Sequence, residues 1–360
     1  MTRSGTQIVE LRAENFRRFE QLQLRFSNKL VCFAGDNAAG KTSLLEMLYV
    51  LGRGRSFRAS AATELAGTAA RSWTAFGRTV DYNEVGHALD VQWKDATTQL
   101  RLDSETVNSL ALLRTLPIQV LEPGMHKILQ DGPTYRRSFL DWGVFHVEPS
   151  FLDVWRRYRR AVRQRNEVLR AAGSDRALAA WEPEIAESGE ILHRQRLAHL
   201  DALRPRIEQR LSEWMGGSAW QIDLHAGWQA GTSLQQALQT SRDRDRKLGS
   251  TASGPHRAEL RIRLDAHGVR SRISRGQQKL LLATLLLAQS EEIHAVTGSA
   301  PVLLVDDFCA ELASGFQQWL LSALRAYVGQ VFLTSFGESA VLKTAALEMF
   351  HVEHGRVSPA

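Results

Sequence analysis

Hydrophobic and polar positions alternate at the start of the chain, and the pattern then changes to a helical period. Residues 8–11, 22–26 and 30–34 have the alternating or continuous apolar character of strands, and the last group leads into a glycine-rich turn. From residue 41 to 51 the apolar positions fall on one side of a helix: Leu44, Leu45, Leu48 and Leu51. Residues 73–103 again predict short strands, with turns near Asn83 and Asp95.

The middle of the chain has a different character. Residues 150–215 are rich in Arg, Ala, Leu and Glu and predict two or more long helices, with a break at residues 173–175. Afterwards the pattern predicts these elements in order: a strand at 259–264, a hairpin turn at 265–268, a helix from Gly276 to about His294, a strand at 302–305, a helix, and a strand at 330–333. We expect one α/β domain formed from residues 1–120 and 246–360, with a helical lobe, residues 121–245, inserted between them.

Composition narrows the class of protein. The 360 residues are 44% hydrophobic and 23% charged, as in ordinary globular chains. The first five residues lack the apolar region of a signal peptide, and the longest apolar stretch, 280–288, is too short to cross a bilayer. Cys32 and Cys309 cannot form a disulfide framework, and we expect buried thiols in a reducing cytoplasm. Secreted, membrane-spanning and zinc-finger proteins are therefore excluded.

Residues 35–42, Gly-Asp-Asn-Ala-Ala-Gly-Lys-Thr, fit the phosphate-loop pattern G-x-x-x-x-G-K-[ST] between a predicted strand and a predicted helix. Glycines let the backbone approach a phosphate closely, and the helix N-terminus adds a partial positive charge. We expect Lys41 to reach the β- and γ-phosphates and the Thr42 hydroxyl to bind Mg²⁺. An ordinary glycine-rich turn is the alternative. The predicted nucleotide-binding residues here are Gly35, Asp36, Asn37, Ala38, Ala39, Gly40, Lys41, Thr42 and Ser43.

An apolar run at 302–305 ends in two carboxylates, Asp306 and Asp307. A strand buried on both faces needs the apolar residues, and the first carboxylate can hold Mg²⁺ opposite Thr42. Asp307 would then orient or deprotonate an attacking water. The alternative is that a carboxylate at the strand end caps the next helix.

Residues 273–279, Ile-Ser-Arg-Gly-Gln-Gln-Lys, resemble the signature motif of the ABC ATPases. In that superfamily the motif lies at a helix start and caps the γ-phosphate bound by the opposite subunit of a dimer. The resemblance implies this role for Ser274, Gly276 and Gln277. A serine N-cap before a leucine-rich helix would explain the segment in isolation, but the order of phosphate loop, signature and aspartate pair favours an ATPase.

The chain as a whole resembles the RecF family of bacterial recombination mediators, which are related to the heads of SMC proteins. The resemblance runs essentially end to end, and the Arg-Arg-x-Phe-Leu-Asp and Gly-Pro-His runs are more specific to the family than the ATP motifs. The matching segments are 35–42, 52–58, 132–143, 164–166, 254–260, 274–279 and 306–307.

The resemblance implies an ABC-type P-loop ATPase head formed from both termini, with an inserted, mainly helical lobe, that dimerises around two ATP molecules. It implies binding to DNA where gapped duplex meets single strand, cooperation with RecR and RecO in loading RecA, and roles in replication, repair and the SOS response. It also implies weak, DNA-stimulated ATP hydrolysis as a release switch, with Lys41, Asp307 and Ser274 as catalytic residues. ATP and Mg²⁺ are the expected cofactors, and the cytoplasm is the expected location.

Two departures from the family pattern affect these expectations, and a third feature distinguishes the chain from ABC transporters. Ala313 stands where the family usually has an aspartate in a loop that crosses between subunits, so coupling or hydrolysis should be weaker. Ala38 and Ala39 stand where the family usually has glycine and then glycine, serine or glutamine, but alanine is small enough for binding to survive. Thr334 and Ser335 replace the switch histidine of ABC transporters, a lack that RecF sequences share.

Arginine is unevenly distributed. It provides most of the 45 basic residues, a bias that suits phosphate contact but that a GC-rich genome would also produce. Residues 155–170 hold seven arginines, and four of them share one helix face at i, i+3, i+4 and i+7: Arg156, Arg159, Arg160 and Arg163. This face could neutralise several DNA phosphates. The alternative is a solvated helix surface paired with acidic residues, but only Glu167 lies nearby within residues 155–170. Arg55 and Arg58 are further DNA candidates, with surface solubility as the alternative.

Other interpretations stay open. His256 could be catalytic, although a structural role in a turn is favoured. A non-enzymatic ATP-binding DNA clamp or adaptor is the second function class, and Ala313 makes it more plausible. An ABC transporter subunit is improbable, because its phosphate loop and signature normally lie about half as far apart as the 234 residues between Gly40 and Ser274.

Overall fold

The computed structural model describes residues 5–68, 70–81, 83–216, 219–265, 267–269, 272–337, 340–343 and 347–360. The described residues form two compact units, one from Met1–Met125 together with Ser274–Ala360, the other from His126–Ile273. The first unit is α/β and the second is mainly helical, so the predicted fold class is confirmed. Within the described ranges, no helix combines the length and the apolar character that crossing a membrane requires.

The elements follow one another in three segments of the chain. The first segment contains β1 (Gln7–Phe16), β2 (Phe19–Arg25), β3 (Leu30–Gly35), α1 (Lys41–Arg53), β4 (Ser72–Val80), β5 (Gly86–Lys94), β6 (Thr97–Leu102), β7 (Glu105–Thr106), α2 (Ser109–Thr115) and β8 (Ile118–Leu121). The second contains α3 (Lys127–Gln130), α4 (Pro133–Val147), α5 (Phe151–Arg170), α6 (Asp175–Ala179), α7 (Glu182–Trp214), β9 (Trp220–His225), α8 (Leu234–Thr240), α9 (Arg242–Leu248), β10 (Glu259–Leu264) and β11 (His267–Gly268). The third contains α10 (Arg275–Thr297), β12 (Val302–Val305), α11 (Ser314–Ala326), β13 (Val331–Phe336), α12 (Ala340–Lys343), β14 (Glu348–Glu353) and β15 (Arg356–Pro359).

The α/β unit contains two sheets with α1 between them. One sheet is antiparallel, in the order β2-β1-β4-β5-β6-β7, and the other has the order β15-β14-β3-β13-β12-β8, with its five strands from β14 to β8 parallel. All residues of β3 and β12 are buried, as expected for parallel strands covered on both faces. Helix α1 packs against strands of both sheets, so its N-terminus is fixed at the carboxyl ends of the parallel strands.

The second, mainly helical unit is built around the antiparallel pair α5 and α7, which share a buried apolar cluster with α4 and α8. A three-stranded sheet, β11-β10-β9, completes this unit. The hairpin predicted at residues 265–268 joins β10 to β11, although Ala266 lies outside the described residues.

The boundary of the insertion differs from the expected one at its second end. Residues 246–273, which we expected in the head, belong to the helical unit, because β10 pairs along its whole length with β9. The strand β9 has no clear signal in the sequence pattern. The first boundary, after Met125, lies five residues beyond the expected position.

Candidate nucleotide-binding site

The phosphate loop joins the carboxyl end of β3 to the start of α1, as predicted. A β-carbon at Gly35 would lie 2.2 Å from the Val352 carbonyl oxygen, and Gly40 has a φ of 120°. Only glycine fits both positions. No side chain caps the N-terminus of α1, so the N–H groups of its first turn are available to an anion.

Ala38 holds the loop in a conformation that favours glycine, since its φ is 62°. A left-handed alanine costs about 1–2 kcal/mol relative to ordinary backbone. The surroundings stabilise the conformation: the Arg18 guanidinium donates a hydrogen bond to the Ala38 carbonyl, and the Gly355 N–H donates to the Ala39 carbonyl at 3.2 Å. These two bonds hold the loop at its two alanines.

Lys41 is 6% exposed, and its ammonium lies across the loop. Nζ donates to the carbonyls of Gly35 at 2.9 Å and Asp36 at 2.7 Å. Burial lowers the pKa of Lys41, and the nearby charges of Asp307, Asp306 and Asp36 oppose that change. The structure thus brings the predicted lysine and both predicted aspartates into one group of interacting charges.

The Thr42 hydroxyl donates to Asp306 Oδ1 at 3.0 Å, which brings the two predicted Mg²⁺ ligands together. Asp306 follows β12 and is 5% exposed, and this burial raises the pKa of its carboxyl group. A hydroxyl and a buried carboxylate are oxygen ligands of the type that Mg²⁺ prefers, so the residues present fit the ion.

Thr334 organises the aspartate pair and was not predicted to do so. It lies on β13, between β3 and β12 in the sheet, and is fully buried. Its hydroxyl donates to Asp306 Oδ1 at 2.7 Å and accepts the backbone N–H of Asp307 at 2.8 Å. The sequence signal for this role was a polar side chain near the end of an apolar strand. From the sequence, Thr334 stands out only as a replacement for the switch histidine of ABC transporters.

Ser274, Gly276 and Gln277 stand at the start of α10. Ser274 Oγ accepts the Gln277 N–H at 3.3 Å, and Gln277 Oε1 accepts the Ser274 N–H at 2.9 Å, so the N-cap alternative is part of the structure. Ser274 is exposed, and among the described residues its hydrogen bonds are to Gln277 and Gln278 of its own helix. A β-carbon at Gly276 would lie 2.5 Å from the Glu311 carbonyl oxygen, which explains the glycine.

A buried carboxylate in α1 holds the segment that carries Arg58. Glu46 is fully buried and accepts two hydrogen bonds from Arg17, both 2.8 Å, and one from the Ser56 hydroxyl. Ser56 Oγ in turn accepts the N–H groups of Arg58 and Ala59, both at 2.8 Å. Burial raises the pKa of Asp306, and the charge of Arg58 opposes that change.

The arginine face predicted on α5 is exposed. Arg156, Arg159, Arg160 and Arg163, together with Trp155 and Gln164, line a shallow depression on the helical unit. The Arg159 guanidinium stacks 4.6 Å from the centre of the Trp155 ring. Asp153 lies 3.6 Å from Arg156, so Glu167 is not the only nearby acid.

Two other arginines of α5 serve the fold instead. Arg165 is fully buried and bonds to Asp245 at 2.7 Å and to Glu182 at 3.3 Å. Arg157 makes a two-pronged ion pair with Glu184, at 2.8 and 3.2 Å. The periodicity therefore separates the four arginines of the exposed face from the buried Arg165, whereas Arg157 is exposed but ion-paired.

His256 lies in the helical unit as a structural residue of the turn at Pro255–Arg257. The Tyr158 hydroxyl donates to Nδ1 at 2.5 Å, and Nε2–H donates to the Thr251 carbonyl at 2.9 Å. Burial lowers the pKa of His256 to about 4, so the ring is neutral near pH 7. Both ring nitrogens are engaged, which leaves none for catalysis.

The chain is similar to known proteins over nearly its whole length. The family model for the RecF/RecN/SMC N-terminal domain matches residues 7–358. The chain is 40% identical over 327 residues to the DNA replication and repair protein RecF of Thioalkalivibrio sulfidiphilus, covering 89% of this chain and 90% of that one. It is 34% identical over 346 residues to the protein of the same name from Vibrio vulnificus, covering 95% and 96%.

A solved structure of the recombination mediator protein RecF with ATP superimposes with a TM-score of 0.86 at 24% identity, over 99% of this chain and 98% of the other. That likeness shows that the fold is the ABC-type ATPase head with an inserted lobe. The family model that spans nearly the whole chain and the two relatives above 30% identity show that the chain belongs to the RecF family.

Proposed function

We propose that this protein is an ATP-dependent DNA-binding protein of DNA replication and of the repair of gaps, and that slow ATP hydrolysis releases it from DNA. The proposal rests on one observation: the Thr42 hydroxyl donates to Asp306 Oδ1 at 3.0 Å, in the same group of charges as the buried Lys41. Three neighbouring strands, β3, β13 and β12, deliver these groups and Thr334 to one edge of the sheet. The family membership supports the same function.

Each group has a distinct task in hydrolysis. Lys41 and the free N–H groups at the start of α1 hold the phosphates, and Thr42 with Asp306 would hold Mg²⁺. The ion, when bound, neutralises charge on the phosphate oxygens. Asp307 orients or deprotonates the attacking water. The Thr334 hydroxyl holds the backbone of Asp307 by accepting its N–H.

A second copy of the chain completes the site. Ser274 is exposed at a helix start, and the hydrogen bonds that the structure gives it lie within its own helix, so its outer face is accessible to a nucleotide held by a partner. In the ATP-dependent dimer, Ser274, Gly276 and Gln277 of one subunit face the γ-phosphate held by the other. Monomers should therefore hydrolyse ATP slowly.

The DNA contact that we propose is the exposed arginine face on α5, with the exposed Arg55 and Arg58 as further contacts. Such cations neutralise phosphates and release counterions, so binding should weaken steeply with salt. By family membership, we further propose that the protein acts with RecO and RecR in loading RecA at single-strand/double-strand junctions.

A non-enzymatic clamp is the second candidate, and one observation favours it. Ala313 occupies the N-cap position of α11, and no side chain caps that helix. The aspartate usual in the family would cap α11, so its loss loosens the loop that leads from Asp307 to this helix. ATP binding alone would then control dimerisation, with turnover incidental.

Sedimentation velocity with and without ATP and gapped DNA, at two salt concentrations, tests the proposal. We expect ATP to convert monomer to dimer, and the DNA complex to weaken at the higher salt. Lys41→Met should abolish the ATP-dependent shift; dimerisation and DNA retention like those of the unaltered chain would show that the proposal is wrong.

Asp307→Asn separates the enzyme from the clamp. Asparagine tolerates the left-handed backbone of Asp307, whose φ is 49°, so the loop should keep its shape. If hydrolysis is the release switch, this variant binds ATP and stays on DNA as a dimer for much longer than the unaltered chain. A pure clamp would show no difference.

A further inference from the structure

Lys279 is a buried lysine on the second turn of α10 that donates all its hydrogen bonds to one loop. It is 8% exposed, and Nζ lies 2.5 Å from the carbonyl oxygen of Asp307, 3.3 Å from that of Phe308 and 3.1 Å from that of Ala310. An ammonium group has three donors, so this loop occupies the whole donor capacity of the side chain.

The loop is bent where Lys279 binds it. Asp307 and Glu311 have φ values of 49° and 66°, which are uncommon for residues other than glycine. Such conformations persist where neighbouring contacts over-determine them. Lys279 provides those contacts on one side, and the Gln317 amide provides others through the carbonyls of Cys309 at 3.3 Å and Leu312 at 2.9 Å.

The same loop also packs against the first turn of α10. At Gly276 the Glu311 carbonyl oxygen comes so close that a β-carbon would lie 2.5 Å away. The segment that begins with Asp307 therefore contacts α10 at two places one turn apart, just after Ser274. A displacement of the start of α10 must move the backbone of Asp307 with it.

We propose that Lys279 is a positioning residue that couples the two nucleotide sites of the dimer. When Ser274 engages the nucleotide held by the partner subunit, the shift of α10 passes through Lys279 to the backbone of Asp307 in the same subunit. Each site thus becomes competent for hydrolysis only when the other is filled. This inference rests on the proposed function, because it requires an ATP-bound dimer that hydrolyses ATP.

Steady-state hydrolysis by Lys279→Met over a range of ATP concentrations tests the coupling. Methionine has a similar length but no donors. We expect its affinity for a fluorescent ATP analogue to stay within about threefold, while kcat falls at least about tenfold because Asp307 is misplaced. At a protein concentration high enough to keep the chain dimeric throughout the ATP titration, the Hill coefficient should fall from near 2, the number of sites, towards about 1. Unchanged kcat and Hill coefficient, or a loss of ATP affinity as large as the loss of kcat, would overturn the inference.

Lys29 offers a matched control, since its ammonium also donates to backbone carbonyls of the same unit, those of Arg325 at 3.0 Å and Tyr327 at 2.9 Å. Lys29→Met should leave kcat and the Hill coefficient unchanged.

If Lys279→Met does not fold, Lys279→Arg takes its place, because a planar guanidinium does not reproduce three donors converging from one nitrogen. Non-cooperative hydrolysis by the unaltered chain would overturn the proposed function as well, whereas a cooperative chain with a cooperative Lys279 variant overturns this inference alone.

Discussion

The Thr334 hydroxyl donates to Asp306 Oδ1 at 2.7 Å and accepts the N–H of Asp307 at 2.8 Å, so one side chain orients both carboxylate residues of the candidate site. Thr334→Val keeps the shape and removes both bonds. We expect the free energy of unfolding to fall by about 1–3 kcal/mol, since the buried Asp306 carboxylate loses one of its two hydroxyl partners and the part-buried Asp307 N–H loses its acceptor. We also expect a loss of about tenfold or more in kcat for ATP hydrolysis. Thr334→Ser, which retains the hydroxyl, is the control and should keep most of the activity.

Gly276 and Gly315 form a matched pair, because each is the second residue of its helix, α10 and α11 respectively. A β-carbon at Gly276 would lie 2.5 Å from the Glu311 carbonyl oxygen, whereas one at Gly315 meets nothing within 4 Å. Gly276→Ala should destabilise the protein by about 1–3 kcal/mol, and Gly315→Ala should stabilise it by about 0.5–1 kcal/mol. Urea unfolding measures both, and equal effects would contradict the close approach.

Ala313→Asp should restore the missing cap of α11. An aspartate at an N-cap stabilises a helix by about 1 kcal/mol relative to alanine, which urea unfolding can detect. If the family's carboxylate also acts across the dimer, the same variant will raise the rate of ATP hydrolysis. Ala313→Asn separates the two effects, because asparagine caps a helix without adding charge. A stability gain with both residues and a rate gain with aspartate alone is the expected result.

His256 predicts a pH dependence of stability. Burial lowers its folded pKa to about 4, from 6.5 in an exposed histidine, so the unfolded chain binds more protons between these values. Stability therefore falls as the pH drops from about 6.5 to 4, by up to about 3 kcal/mol for this group. His199, which is also buried and has a pKa of about 4, adds to the same slope.

Urea unfolding at several values between pH 4 and pH 7 measures this slope. His256→Gln should make it shallower, because glutamine does not titrate. A slope that is unchanged by His256→Gln would mean that the buried ring does not control it.

The parts of this site that lie within one stretch of sequence could be predicted, and those that depend on distant partners could not. The phosphate loop can be recognised from residues 30–51 alone, where strand, glycines and helix follow one another, and Asp306 is marked by the apolar run before it. Thr334 acquires its role only because β13 lies between β3 and β12, an order that no local pattern specifies.

The same reason explains the differences in the fold. Strand β9 has mixed polarity and gave no sequence signal, so its pairing with β10, which places residues 246–273 in the helical unit, was not expected. The buried pair of Glu46 and Arg17, 29 positions apart, likewise depends on two elements meeting. A glutamate among the leucines of α1 was the one local sign of it.

The arginine face on α5 predicts a specific salt dependence of DNA binding. Arg160 and Arg163 are exposed. Replacing both with glutamine should reduce the slope of log Kd against log salt by about 0.9 for each lost phosphate contact, so by about 1.8 in all on duplex DNA. Fluorescence anisotropy with a gapped duplex at four or more salt concentrations would measure this slope.

Arg157→Gln is the control. Arg157 is exposed on the same helix, but it forms ion pairs with Glu184 at 2.8 Å and Glu187 at 3.4 Å. Its removal should leave the slope unchanged, and an equal decrease in both variants would show that the loss follows net charge and not this face.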